Sequence, residues 1–234
     1  MRGAIRAATQ YIPRVPPPGN QNMPRITPLS LQGPVGALQA ELIEPDAAPS
    51  FVATVAHPHP LYGGDMDNHV VTTAANAVVE LGGAALRFNF RGTGGSEGRH
   101  DEGRGETEDL EACEQELRRR FPRLLRVGVG YSFGAVVTMA RLPQAEAAQD
   151  PPGGVLLIAP PLTHYDFEAA TTATVPVAVV YGQLDAFTTD AMIRRLPKRW
   201  PTLGSCLEVA GAGHDLSSPE LGTTIRRALQ VLIG

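Results

Sequence analysis

Residues 126–137 read RVGVGYSFGAVV: a strand-like run ends at a serine, Ser132, with a glycine two positions away on either side, Gly130 and Gly134. The preceding LLRVGVGY (124–131) is valine-rich, as a buried strand is, and the following SFGAVVTMARL (132–142) has apolar residues at helical spacing. A strand that becomes a helix within one residue forces that residue into strained backbone, and small neighbours let the two elements approach closely enough to lift its hydroxyl clear. The new helix leaves its first N–H groups free beside the hydroxyl, which makes Phe133 a candidate oxyanion donor. The same residues miss the dinucleotide-binding register G-x-G-x-x-G, because Phe133 stands where the third glycine belongs.

Outward from this turn, strand and helix patterns alternate. Strands are expected at ITPLSL (26–31), ALQAELIE (37–44), FVATVAH (51–57), AALRFNF (84–90), GGVLLIAP (153–160), VPVAVVYG (175–182) and SCLEVAG (205–211), several of them continuous apolar runs of the kind buried on both faces of a parallel sheet. Helices are expected at 67–81, 105–121, 188–200 and 217–233, the last opening with Ser217 and Glu220 in capping-box spacing and with Pro219 near its first turn. The alternation predicts an α/β sandwich. Its two leading strands form an antiparallel edge, its other strands are mostly parallel, and ligands bind at their carboxyl ends.

The composition agrees with one soluble catalytic domain. The 234 residues are 43% hydrophobic and 19% charged, and a net charge of −4 gives no reason to expect a nucleic-acid partner. No apolar run approaches the roughly 20 residues of a membrane helix. Two cysteines, Cys113 and Cys206, in a helix and a strand, form no disulfide framework and suit a reducing cytoplasm. Residues 1–25 read as a flexible extension, with Arg2, Arg6, Arg14 and Arg25 and the proline-rich RVPPPGNQNMP (14–24); a targeting peptide and a true start at Met23 are the alternatives.

A serine hydroxyl needs a base, and the base an orienting acid, so on this fold an Asp or Glu and then a His should follow at later strand ends. Asp185 ends the strand at 175–182, and His214 follows the glycines after the strand at 205–211. Asp166 is the rival acid, one strand earlier; Asp190 falls inside a helix, and Asp215 adjoins the histidine but points elsewhere. A second oxyanion donor belongs to the loop VAHPHPLYGGDMDNHV (55–70). Pro58 and Pro60 have no N–H, which leaves His59, Leu61 and Tyr62, with Leu61 the choice. His57, His59, Asp65, Asp67 and His69 raise a metal alternative, but Leu61 stands where a binuclear zinc motif requires an aspartate, so no metal is expected. Residues 88–106 form a rim loop without the G-K-[ST] of a nucleotide site, tethered by Arg87, Asn89 and Arg91. Tyr62, His59, His164, Tyr165 and Phe167 are the expected substrate-binding residues.

The blocks HPHPLYGGDMDNHVV, LRFNFRGTGGSEG, GRGETEDLEA and GYSFGA together resemble a bacterial branch of the α/β-hydrolase superfamily, the small lidless serine hydrolases, over roughly residues 26–234. Two positions depart from the branch: Asp215 and Leu216 follow His214 where aromatic residues are usual, and Asp65 replaces a small residue. The resemblance implies the α/β-hydrolase fold, with a mostly parallel sheet of about eight strands, flanking helices and no lid. It also implies Ser132 as nucleophile, Asp185 as acid and His214 as base, in agreement with the spacing. The expected activity is hydrolysis of small carboxylic esters or related acyl compounds through an acyl-enzyme, without a cofactor. An acyltransferase or a non-catalytic binding module on the same fold are the alternatives.

Overall fold

The computed structural model describes residues 23–234. The extension expected over residues 1–25 therefore lies outside the described residues up to position 22; Arg25 already opens the first strand and pairs with Glu44 at 2.7 Å. Eight strands, β1 (Arg25–Gly33), β2 (Gly36–Glu44), β3 (Phe51–Ala56), β4 (Ala84–Phe88), β5 (Leu125–Tyr131), β6 (Gly154–Ile158), β7 (Val177–Gly182) and β8 (Leu203–Val209), form one sheet in the order β1-β2-β4-β3-β5-β6-β7-β8. β1 pairs antiparallel with β2, and β2 with β4; every later pairing is parallel. The helices are α1 (His69–Glu80), α2 (Arg104–Arg120), α3 (Phe133–Ala147), three single turns α4 (Ala169–Thr172), α5 (Asp190–Ile193) and α6 (Leu196–Arg199), and α7 (Leu221–Ile233).

The central strands are apolar at most positions because both faces are covered. In β3, Phe51, Ala53 and Val55 join the core beneath α1 and α7, while Val52 and Ala56 join the core beneath α2 and α3. β6 and β7 divide in the same way between α7 and the layer containing Met139, Leu142 and Trp200. The edge hairpin β1–β2 instead alternates more exposed with more buried residues, β2 between half-buried and buried positions, as a strand with one partly solvated face does.

Three elements differ from the sequence reading. The helix expected at 188–200 is broken into α5 and α6, since Pro197 removes a backbone donor where the ladder would continue. The capping box at Ser217 and Glu220 does not form: Ser217 donates to Asp215 at 2.7 Å, and α7 starts four residues later, at Leu221. α3 runs beyond Leu142 to Ala147 with Pro143 inside it. Between β6 and β7 lie only a loop and the four residues of α4, so no lid is inserted there. Among the described residues no helix is long and apolar enough to cross a membrane.

Candidate active site

Ser132 sits at the carboxyl end of β5 with φ 53° and ψ −114°, a conformation that costs a non-glycine residue on the order of 1–3 kcal/mol. The surroundings enforce it. The Ser132 N–H donates to the Ile158 carbonyl at 2.8 Å, and a side chain on Gly130 would collide with the backbone of Gly134, as one on Gly134 would with that of Ala56. Gly130 and Gly134 thus bring β5, α3 and β3 into contact and leave the hydroxyl facing outward.

The Ser132 Oγ lies 2.9 Å from His214 Nε2, and His214 Nδ1 lies 2.9 Å from Asp185 Oδ2. Asp185 is 3% exposed, and its other oxygen accepts the N–H groups of Phe187 (2.7 Å) and Thr188 (3.3 Å). The carboxylate is therefore fixed from both ends, and the hydroxyl of Thr188 ties the same loop to the Pro160 carbonyl. Tyr131 donates its hydroxyl to the His214 carbonyl at 3.0 Å; burial first, then the nearby Asp215 and Asp185, push its pKa up to about 12, which keeps it a donor. The rival acid stays out: Asp166 is exposed and faces Arg199 at 3.9 Å. Asp190 pairs with Arg194, and Asp215 accepts from Ser217.

The second oxyanion donor is corrected. The Leu61 N–H is already bound to His59 Nδ1 at 3.2 Å, and Leu61 is 71% exposed, outside the cleft. A short helical turn at Pro60–Tyr62 produces this arrangement, with His59 as its cap. The His59 N–H, like that of Phe133, has no acceptor among the described residues. His57 fixes its direction. The ring, fully buried, accepts the Phe90 N–H at Nε2 (3.0 Å), so Nδ1 carries the proton and donates to the Pro58 carbonyl at 2.6 Å. That carbonyl belongs to the same trans peptide as the His59 N–H, so gripping one end points the other the opposite way. Burial lowers the His57 pKa to about 4 and keeps it neutral.

A cleft of about 690 Å³ opens over Ser132 and His214. Of the expected substrate-binding residues, His59, Tyr62, His164 and Tyr165 line it. Phe167 does not: it is 5% exposed and packs on Trp200, ring centroids 5.9 Å apart. Phe187, Asn68 and Tyr131 line the cleft and were missed, although Phe187 could have been found from its place two residues beyond Asp185, where an Asp-centred turn folds back. The expected tethers hold the rim. Arg87 binds Glu41 at 2.6 Å, Asn89 accepts from the Met66 N–H at 2.8 Å, and Arg91 grips Asp109 at 2.8 Å. The acids and histidines of residues 57–69 diverge, and no group of three metal-ligating side chains occurs among the described residues.

Strand order, strained serine turn and Ser–His–Asp chain together define an α/β hydrolase. No family model matches the sequence. An uncharacterized protein of Rickettsia prowazekii is 33% identical over 171 residues, 71% of this chain and 70% of that one. A crystal structure from Xanthomonas campestris, described as a member of the α/β serine hydrolases without lid, is 30% identical, with a TM-score of 0.78, over 94% of this chain and 98% of that one. An α/β serine hydrolase homologue from Coxiella burnetii is 31% identical, with a TM-score of 0.75, over 88% and 95%. This chain belongs to the lidless α/β serine hydrolase family.

Proposed function

We propose that the protein is a cytoplasmic serine hydrolase that cleaves small carboxylic esters or related acyl compounds through an acyl-enzyme. The observation that carries the reading is the unbroken hydrogen-bonded chain from Ser132 through His214 to the buried Asp185. His214 takes the serine proton as the hydroxyl attacks the acyl carbon, and Asp185 holds the ring in the tautomer whose Nε2 is free to accept. The N–H groups of His59 and Phe133 stabilise the oxyanion, worth about 3 kcal/mol per donor in comparable sites. His214 then protonates the leaving alcohol, and water repeats the sequence on the acyl-enzyme. The neutral His59 ring, its pKa lowered by burial and by His100, forms part of the wall.

The decisive experiment replaces Ser132 with Ala and follows p-nitrophenyl acetate hydrolysis together with labelling by an active-site phosphonate. Both should vanish, turnover by about five to six orders of magnitude if the triad acts as a unit. Labelling that survives would place the nucleophile elsewhere.

A further inference from the structure

A second cavity, about 450 Å³, lies beside the catalytic cleft. The two share His164 and Tyr165, both on the loop that follows β6. These two side chains, one exposed and one half-buried, form the divider between the cavities. On its catalytic side, Tyr165 stands 6.4 Å from the Phe133 ring, and His164 stands 5.0 Å from Phe187, itself 4.7 Å from His214. On its far side Leu162, Phe167, Met192, Leu196 and Trp200 supply an apolar floor, and the polar groups of Thr163, Asp166, Arg195 and Arg199 complete the lining.

The charges in this cavity do not cancel. Arg199 has a distant partner in Asp166 at 3.9 Å, and the neighbouring Asp190 is engaged by Arg194 at 2.8 Å. Among the described residues Arg195 makes no ion pair and no side-chain hydrogen bond, so the cavity keeps one positive charge in excess. An apolar floor with an unpaired guanidinium fits an aliphatic chain that ends in a carboxylate, since the planar fork matches that anion in two parallel hydrogen bonds. We propose that this cavity is a subsite for the carboxylate end of an ester substrate, the scissile bond lying over Ser132 and the chain crossing the His164–Tyr165 divider. The inference rests on the esterase reading and adds to it a substrate class: acidic esters, with the anion remote from the bond that is cleaved. A neutral chain of equal length gains only the floor, and a cationic one is repelled.

The test compares p-nitrophenyl hemiesters of dicarboxylic acids from adipic to azelaic with their methyl-capped counterparts, and acetate esters of the corresponding ω-hydroxy acids with their methyl esters. In at least one set, kcat/KM for the free acid should exceed that of the capped ester by about tenfold, the scale of one charge-assisted contact, and the ratio should narrow with added salt. In Arg195→Gln/Arg199→Gln the ratio should fall to about one. Arg194→Gln, adjacent in the chain but outside the cavity, should keep it, and far-UV circular dichroism verifies that each variant is folded. The ratio is internal to each variant, so a general loss of activity does not imitate the effect. A ratio near one in both sets for the unaltered protein, or one that survives the double substitution, overturns the subsite alone. Absence of hydrolysis of every ester, p-nitrophenyl acetate included, overturns the esterase reading and the subsite with it.

Discussion

Acidification should destabilise this fold through the buried ring of His57, and the lowered pKa of His59 acts in the same direction. His57 is fully buried, and desolvation holds its pKa at about 4 against 6.5 when exposed. Above pH 6.5 it is neutral in both states, and its contribution is fully present. As the pH falls, the unfolded chain binds a proton that the folded protein refuses, so stability is lost from 6.5 down to about 4, where the folded ring also titrates. At about 1.4 kcal/mol per pH unit the whole interval is worth about 3 kcal/mol, and about 2 kcal/mol of it is gone by about pH 5. For a chain of this size that corresponds to a melting temperature lower by about 4–8 °C. Urea unfolding at several pH values between about 5 and 8 measures the slope. His57→Asn keeps a donor for the Pro58 carbonyl but cannot titrate, so its profile should be flatter by the same amount, although it starts lower because the Phe90 N–H loses its acceptor. In the unaltered protein, the His57 ring protons followed by NMR should show no titration above about pH 5. Parallel profiles for the two proteins, or a ring that titrates near 6.5, would refute the assignment.

Three further outcomes are expected. Asp185→Asn should lower turnover of activated esters by roughly four orders of magnitude through the wrong histidine tautomer, while Asp166→Asn leaves it nearly unchanged; steady-state kinetics of the pair decide which acid serves His214. Ser132→Gly should abolish activity yet raise the urea midpoint, by about 1 kcal/mol of stability or more, because glycine adopts φ 53° without strain. A drop in the midpoint would show the turn to be unstrained. Among neutral esters, chains of about two to six carbons should be preferred, with no jump in rate above the substrate's solubility limit, since no lid covers the cleft; a steady rise of kcat/KM toward long chains would count against an open site.

How far the site could be read from sequence depended on how local its determinants are. Ser132, Asp185 and His214 were legible because a parallel sheet delivers side chains to its carboxyl edge, and each follows a recognisable strand. The tethers Arg87, Asn89 and Arg91 were legible as polar residues in and just beyond an otherwise apolar strand. Leu61 was chosen wrongly because the turn at Pro60–Tyr62 consumes its N–H, a hydrogen bond that no pattern announces. His59 had a signal all the same: it is the one donor between two prolines, on a peptide whose carbonyl a buried histidine can reach. Phe167 was placed at the rim because its loop is polar. Trp200, arriving from a helix turn after β7, draws it away from the catalytic cleft to the floor of the neighbouring cavity.

The position of His214 sets how the enzyme would fail on heating. Ser132 ends β5, a strand with neighbours on both sides, whereas His214 follows β8, the last strand of the sheet, which pairs only with β7 and is mostly half-buried. Edge elements open at lower free energy than the centre. Fraying of β8 separates the imidazole from the hydroxyl while the seven remaining strands stay paired, so activity disappears at a temperature where circular dichroism still reports a folded protein. Thermal inactivation and global melting are then two separate transitions, and amide hydrogen exchange at residues 203–214 should be faster than in β5 by the free energy that divides them.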